Sequence, residues 1–257
     1  MIVNGKEYDI NVGYKTLTVN RSDDMSQRTV KSFFKTFKDE ADSIYCDPNF
    51  ERFKIQEWLL ENKCSTLQEC WEKIPADALL WMATRRNVLT QKDFQQFALS
   101  CCNRLNHLMK DKRSLNAFHT TKEYINGETT KEDLICDMNS VQKFIEDRPP
   151  MLVLSTNEEE LILQSSWSAG HLGYGAAVLV CFDLVPMHQQ RLAFGIATSA
   201  ANAVFFSACA NYDDYTDRVI EVGLERTRQS NWFRENCTPN FTKSTRAKKL
   251  VTFSFCI

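Results

Sequence analysis

The sequence predicts an all-α protein, an orthogonal or antiparallel array of about nine helices, with a small β element from the N- and C-termini. Three observations support the helices. The chain has only 8 Gly and 6 Pro among 257 residues, whereas turn-dense β folds need these residues at their corners. Apolar residues recur at intervals of three and four along most of the chain. Hydroxyl residues that are typical of helix N-termini precede several of these stretches.

The composition is that of an ordinary globular protein. Apolar residues make up 43% and charged residues 25% of the chain, which excludes a disordered chain. A length of 257 residues suffices for one large domain or two small ones. The net charge of −2 lacks the basic surplus of a nucleic-acid-binding protein, so we expect no nucleic-acid partner.

Residues 1–20 and 237–257 supply the predicted β element. Asn4-Gly5 is the preferred pair for a tight hairpin turn, and it follows Ile2-Val3 in the N-terminal arm. The last 21 residues carry four basic side chains and no acid, and Leu250 to Ile257 alternates weakly in the manner of a strand. We expect this basic tail to pair with the arm.

Residues 21–148 form the predicted amphipathic half. Apolar stripes predict helices over 22–45, 93–110, 114–125 and 130–147. Capping boxes, each a hydroxyl residue with an acceptor three positions later, are predicted at Ser65 with Gln68, Thr90 with Asp93, and Thr129 with Glu132. Pro149-Pro150 ends this half and marks the predicted subdomain boundary.

Residues 151–236 form a predicted second half with a different composition, in which uncharged and small residues predominate. Residues 161–182 and 192–212 carry no formal charge, which raises the question of a membrane span. Both runs contain Ser, Asn and many Ala or Gly residues, which do not drive insertion. Small residues recur every four positions, namely Ser165, Ala169, Gly173, Ala177 and Cys181, then Ala193, Ala197 and Ala201. We therefore expect closely packed buried helices and no membrane partner, followed by an amphipathic helix over 213–235.

The N-terminus carries no basic and apolar leader of the secretory type, so we expect a cytoplasmic protein. The ten cysteines are then expected to be reduced thiols. No two of them show the C-x2-C spacing of a zinc site, so no metal site is predicted.

The sequence contains no G-x-S-x-G elbow, Walker loop, H-E-x-x-H motif or dinucleotide fingerprint. We therefore predict neither an enzyme nor a cofactor. The alternative is a cleft between the halves that uses His107 and Asp111, four positions apart on one helix, together with His171 in the glycine cluster Gly170–Gly175. A local hydrogen bond at a helix end and close helix packing explain the same residues without a site.

Four acids, Asp213, Asp214, Asp217 and Glu221, form a predicted acidic edge at the start of the last helix. Such an edge suits contact with a basic protein partner. A solvated helix N-terminus is the alternative, because acids stabilise that end of the helix dipole.

Three runs carry a resemblance to a known family: Cys64 to Arg85 with Glu69-Cys70-Trp71, Phe97 to Ala117 with Cys101-Cys102-Asn-Arg104, and Tyr124 to Leu134. Over residues 60–240 the chain resembles helical bacterial immunity proteins and alanine-rich helical proteins of planctomycetes. Its ending departs from them, since Thr238-Pro-Asn-Phe241 only echoes the family's Gly-Asn-Pro-Phe. The resemblance implies an all-helical, non-enzymatic binding protein and carries over no catalytic residue.

The leading functional hypothesis is stoichiometric occlusion of a partner protein, such as a toxin or a defence effector. The chain would then be an immunity or antitoxin-type protein or a phage-encoded inhibitor of a host defence. The acidic edge and the N-terminal arm are the candidate contacts. The alternative is a structural or assembly subunit of a virion or complex, whose termini add strands to a neighbour.

Overall fold

The computed structural model describes residues 2–3, 6–7, 30, 33–34, 55–85, 87–147, 157–212 and 214–241. Nine α-helices of seven or more residues lie within these ranges, and they confirm the all-α class. They are α1 Ile55–Asn62, α2 Leu67–Lys73, α3 Ala76–Ala83, α4 Gln91–Leu105, α5 Lys112–Asn126, α6 Lys131–Glu146, α7 Glu158–Cys181, α8 Pro186–Asn211 and α9 Tyr215–Asn236.

Side-chain caps explain where several helices begin. Thr90 caps α4 in a capping box with Asp93, as predicted. At the other two predicted boxes the N-cap is displaced by one residue. Thr66, not Ser65, caps α2, while Thr130 and Asp133 form the box of α6. Neighbouring hydroxyl residues offer equivalent oxygens, so sequence spacing alone does not decide which of them takes the extended backbone of an N-cap.

The helix predicted over 93–110 is shorter, because α4 ends at Leu105 and a 3-10 turn follows over Asn106–Leu108. The N–H of Met109 donates to the carbonyl of Asn106 there, so the α-helical pattern is already broken. Leu108 and Met109 remain buried beyond the helix. Their apolar character extended the predicted stripe past the true helix end.

The chain divides into two compact units, the first made of Met1–Ile74 with Thr245–Ile257 and the second of Pro75–Ser244. In the first unit, α2 buries Leu67, Cys70 and Trp71. The second unit contains α3 to α9. Because α5 and α6 both pack on α7 in this unit, the helices on either side of residues 148–156 share one core. The four segments predicted from composition stay a prediction, and Pro149-Pro150 lies outside the described residues.

Helix α7 is the central helix of the second unit and packs against α4, α5, α6 and α8. The predicted ridge of small residues is buried, but it does not face a single helix. A four-residue repeat drifts by about 40° per step on a helix of 3.6 residues per turn. The ridge therefore meets the Ala203 carbonyl of α8 at Ser165, the Ser114 backbone of α5 at Gly173, and Leu134 and Met138 of α6 at Ala177.

The β element in the described residues is a hairpin within the N-terminal arm, whereas the prediction paired that arm with the C-terminal tail. Two-residue strands, β1 Ile2–Val3 and β2 Lys6–Glu7, pair antiparallel with Val3 opposite Lys6. No C-terminal strand joins them within the described residues. The tail beyond residue 241 and most of the helix predicted over 22–45 lie outside those residues. The sheet between the two termini stays a prediction.

Candidate functional site

The predicted acidic edge lies at the beginning of α9. Asp214 is the N-cap, and its carboxylate accepts a hydrogen bond of 2.7 Å from the Thr216 backbone N–H. This bond holds the pKa of Asp214 below its usual value. Asp217 is exposed, Glu221 is half-buried, and Asp213 lies outside the described residues. Two of the four acids therefore present their carboxylates on the surface.

Apolar side chains continue this edge along the helix. Val219, Ile220 and Leu224 are 41%, 51% and 43% exposed. Ile220, Leu224 and Arg228 follow Asp217 at successive spacings of three, four and four, which places them on one side of the helix. We call Asp217, Ile220, Leu224 and Arg228 the outer stripe. It joins two exposed apolar groups to an acid at one end and a base at the other.

The inner face of α9 explains why the outer stripe faces solvent. Glu225 is fully buried and accepts a hydrogen bond of 2.8 Å from Nη2 of Arg104 on α4. The Gln229 side-chain amide donates to Glu225 and to the Ala197 carbonyl of α8, at 3.1 Å each. The Phe233 ring stacks on Phe97 with centroids 4.3 Å apart. These contacts fix the rotation of α9 about its axis.

The buried carboxylate is balanced by a guanidinium. Burial by itself lowers the pKa of Arg104, but its hydrogen bonds and electrostatic interactions with Glu225 and Cys101 together more than offset this, so the pKa of Arg104 is raised. Arg104 also reaches the Cys101 sulfur at 3.4 Å. Burial raises the pKa of that thiol to about 12, so Cys101 is an inert core thiol rather than a nucleophile.

The sequence does not single out the outer stripe, because the apolar residues of an amphipathic helix are expected on its core-facing side. The structure puts Glu225 and Gln229 inside instead. The spacing of Asp217, Ile220, Leu224 and Arg228 was the available signal. Without a known partner for Glu225, an inward-facing carboxylate is the less expected arrangement.

His107 and Asp111 do not share a helix. His107 is exposed in the 3-10 turn after α4, and Asp111 is the N-cap of α5. The Asp111 carboxylate accepts bonds from the backbone and the side chain of Arg113, at 2.9 and 3.0 Å. The Arg113 side chain accordingly keeps the pKa of Asp111 below its usual value. Asp111 is thus occupied by capping and by a surface ion pair.

His171 lies within α7, where its Nδ1 is 3.0 Å from the Trp167 carbonyl and its ring meets the edge of the Trp167 ring. Burial lowers the pKa of His171, so the neutral imidazole is favoured. In the described part of the chain, no hydrogen bond joins His171 to His107 or Asp111. The three residues of the predicted cleft therefore do not form a connected acid–base group.

A shallow pocket of about 390 Å³ lies at the turn between α7 and α8. Val178, Leu184 and Leu192 line it together with His188 and Arg191. The turn is held by the Gln91 side chain, which donates to the Leu179 and Phe182 carbonyls and accepts from the Leu184 N–H. These bonds satisfy carbonyls at the end of α7. The sequence showed no signal for this pocket.

The structure also bears on two questions raised by the sequence, a metal site and a membrane span. Among the residues that the structure describes, no three His, Cys, Asp or Glu side chains are placed to hold a metal ion together. The segment Met187–Asn211 in α8 is long and apolar enough to cross a membrane, with a mean hydropathy of 1.6 over a window that is 50% buried. A core helix has the same length and composition, so this signal is weak.

The chain finds no match among models of protein families, curated proteins or solved structures. The outer stripe of α9, with the acidic edge beside it, is therefore defined by its geometry alone.

Proposed function

We propose that this chain is a non-enzymatic protein that binds a partner protein stoichiometrically and blocks it by occlusion. The observation that carries the proposal is the outer stripe. Exposed apolar groups with charges at the margins are the composition of a small protein-binding surface. On this reading Ile220 and Leu224 are the contacts that lose water, and Asp214 and Asp217 orient a partner with basic residues.

The chemistry of the other candidate residues agrees with binding rather than catalysis. Asp111 is engaged by Arg113, and His171 bonds to a carbonyl within its own helix. Cys101 is buried with a raised pKa. None of these groups combines the accessibility and the partner that general acid–base or nucleophilic chemistry requires.

The kind of partner follows from the resemblance described above. Immunity-type and antitoxin-type proteins, and phage-encoded inhibitors of host defence, act by covering a surface of a toxin or an effector. We propose a cytoplasmic partner of that kind. An apolar centre with an acidic margin favours a partner surface that carries a basic margin.

Affinity purification of the tagged chain from its native host tests the proposal, with the mass of the intact complex as the readout. We expect one partner at fixed stoichiometry. Leu224→Glu places a charge in the centre of the outer stripe and is expected to abolish capture. Ile125→Glu is the matched control, because Ile125 is 47% exposed on α5 and lies outside the stripe.

Equal capture by Leu224→Glu and the wild type would contradict this site, provided that both proteins show the same thermal melt. Recovery of the chain as a lone monomer from the host, with turnover of a small molecule, would contradict the function itself.

The alternative function is a structural or assembly subunit. The outer stripe favours it through one specific feature, since its acid and its base lie at opposite ends and can meet the same stripe of another copy. Recovery of only the chain itself as a defined oligomer, or together with coat proteins, is the result expected for this role.

A further inference from the structure

The geometry of α9 points to a second copy of this chain as an occupant of the outer stripe, in an antiparallel two-fold pair. This inference rests on the proposed function, because it assigns a partner to the same binding surface. The pair would hold the stripe covered until another partner displaces it. Three observations lead to it: the spacing of the stripe, its charges and the openness of its flank.

The spacing is self-complementary. A two-fold axis between Val222 and Gly223 places Asp217 of one copy opposite Arg228 of the other, because both residues lie equally far from that point in sequence. With a rise of about 1.5 Å per residue, each lies about 8 Å from the axis. Ile220 of one copy then lies within one residue of the position directly opposite Leu224 of the other copy. The apolar groups meet at the centre and the charges meet at the ends.

The charges are available for such a pair. Asp217 is exposed, and the Arg228 side chain is 51% exposed, with its Nη1 4.0 Å from Oε2 of Glu225. An antiparallel pair creates two Asp217–Arg228 contacts by symmetry. A parallel pair would place each acid opposite an acid and each base opposite a base, which is unfavourable.

The flank of the stripe is open to a second helix. Gly223 is exposed in the middle of α9, and a Cβ placed there meets no atom within 4 Å. A glycine in the interior of a helix lowers its stability relative to alanine. Among the described residues, no contact requires Gly223 to lack a side chain, and its small size leaves room for a close approach from outside.

The stripe is small, so the pair is expected to be weak, with a dissociation constant on the order of 10–100 µM. Sedimentation equilibrium of the full chain from about 1 to about 500 µM tests this. We expect the apparent mass to rise from 29.7 kDa towards twice that value. Leu224→Glu is expected to remain monomeric throughout, whereas Ile125→Glu is expected to associate like the wild type.

Charge reversal tests the assignment of Asp217 to Arg228. Asp217→Arg alone places two bases opposite each other, and Arg228→Glu alone places two acids opposite each other. Each variant is expected to associate at least about 10-fold more weakly than the wild type. An equimolar mixture is expected to regain wild-type association, because the mixed pair has opposite charges at both ends.

Disulfide trapping tests the direction of the two helices, in a background where the exposed Cys136 is replaced by Ser together with Cys46 and Cys256, which lie outside the described residues. Leu224→Cys lies near the proposed axis and is expected to form a cross-linked dimer on mild oxidation. Asn231→Cys is the matched control. In an antiparallel pair its two copies are about 25 Å apart along the helix and are expected not to cross-link.

The outcomes separate this inference from the proposed function. A wild type that stays monomeric over the whole range, or Asn231→Cys that cross-links as well as Leu224→Cys, overturns the antiparallel pair. If the partner capture described above is nevertheless lost in Leu224→Glu, the proposed function stands without self-pairing. If the pair forms and capture is unaffected by Leu224→Glu, self-pairing stands and the partner binds elsewhere.

Discussion

Helices α7 and α9 are both longer than twenty residues, yet they use their side chains in opposite ways. Helix α7 packs against four other helices, and small or hydroxyl residues make up most of its buried residues. Helix α9 buries a charged residue, Glu225, and exposes Ile220 and Leu224. The buried helix thus gains stability from close approach, while the outer helix is held by a polar network and keeps apolar groups for a partner.

This difference determines which of the two helices can bind a partner. Most of α7 is packed against neighbouring helices, so little of its surface remains for a partner apart from Ile162 and Leu163 near its beginning. A peripheral helix can offer a binding surface only if its inner contacts hold it in one rotation, and the Glu225 network supplies that restraint. Three measurements of the free energy of unfolding, made on the full chain by chemical denaturation, test this difference between α7 and α9.

The largest effect is expected from the inner face of α9. Arg104→Met removes the guanidinium that is hydrogen-bonded to Oε1 of the buried Glu225, and leaves that carboxylate with the Gln229 amide and with Arg228 at 4.0 Å from Oε2. We expect the free energy of unfolding to fall by about 3–5 kcal/mol. The double variant Arg104→Met with Glu225→Met is expected to recover most of this loss, because no unpaired charge remains.

Arg113→Met is the matched control, since Arg113 forms an ion pair with Asp111 at the surface. We expect this substitution to lower the free energy of unfolding by less than about 1 kcal/mol. If both arginine variants lose equal stability, the Glu225 network does not hold α9 in the way described.

A smaller effect is expected from the close approach of α7 to α5. A Cβ at Gly173 would lie 2.9 Å from the Ser114 backbone oxygen, which cannot move aside as a side chain can. Gly173→Ala is expected to lower the free energy of unfolding by about 1–3 kcal/mol. Gly195→Ala on α8 meets nothing within 4 Å and is expected to raise it by up to about 1 kcal/mol. If both substitutions change the free energy of unfolding in the same direction, α7 has room to move away from α5 at Gly173.

The smallest effect is expected from His171 on α7. Because burial lowers its pKa in the folded chain, the unfolded chain binds a proton at higher pH, and acidification below about 6.5 favours unfolding. The loss of stability is limited to about 1.4 kcal/mol per pH unit for one proton. His171→Gln is expected to flatten the pH dependence between pH 6.5 and the lower pKa of the folded chain. An unchanged slope in that variant would assign the effect to other groups.

Much of the fold could be predicted from the sequence, because the information is local. The apolar period of α4 and the Thr90–Asp93 box lie within one segment. The end of α4 could not be predicted in the same way, since Leu108 and Met109 are buried whether or not the helix continues.

The candidate site was predicted in part. Asp214 and Asp217 follow from helix-end chemistry, whereas the exposure of Ile220 and Leu224 depends on what the other side of α9 contacts.

Local sequence was enough to specify the helical class, the Thr90–Asp93 cap of α4 and the burial of the small residues in α7 and α8, because side-chain period and local hydrogen bonding act over a few residues. The tertiary structure alone decided which way α9 faces. Arg104 and Glu225 are 121 positions apart, and only their meeting explains why a carboxylate turns inward while apolar side chains turn outward. A buried charge must find its partner, and that requirement outweighs the burial of two aliphatic groups.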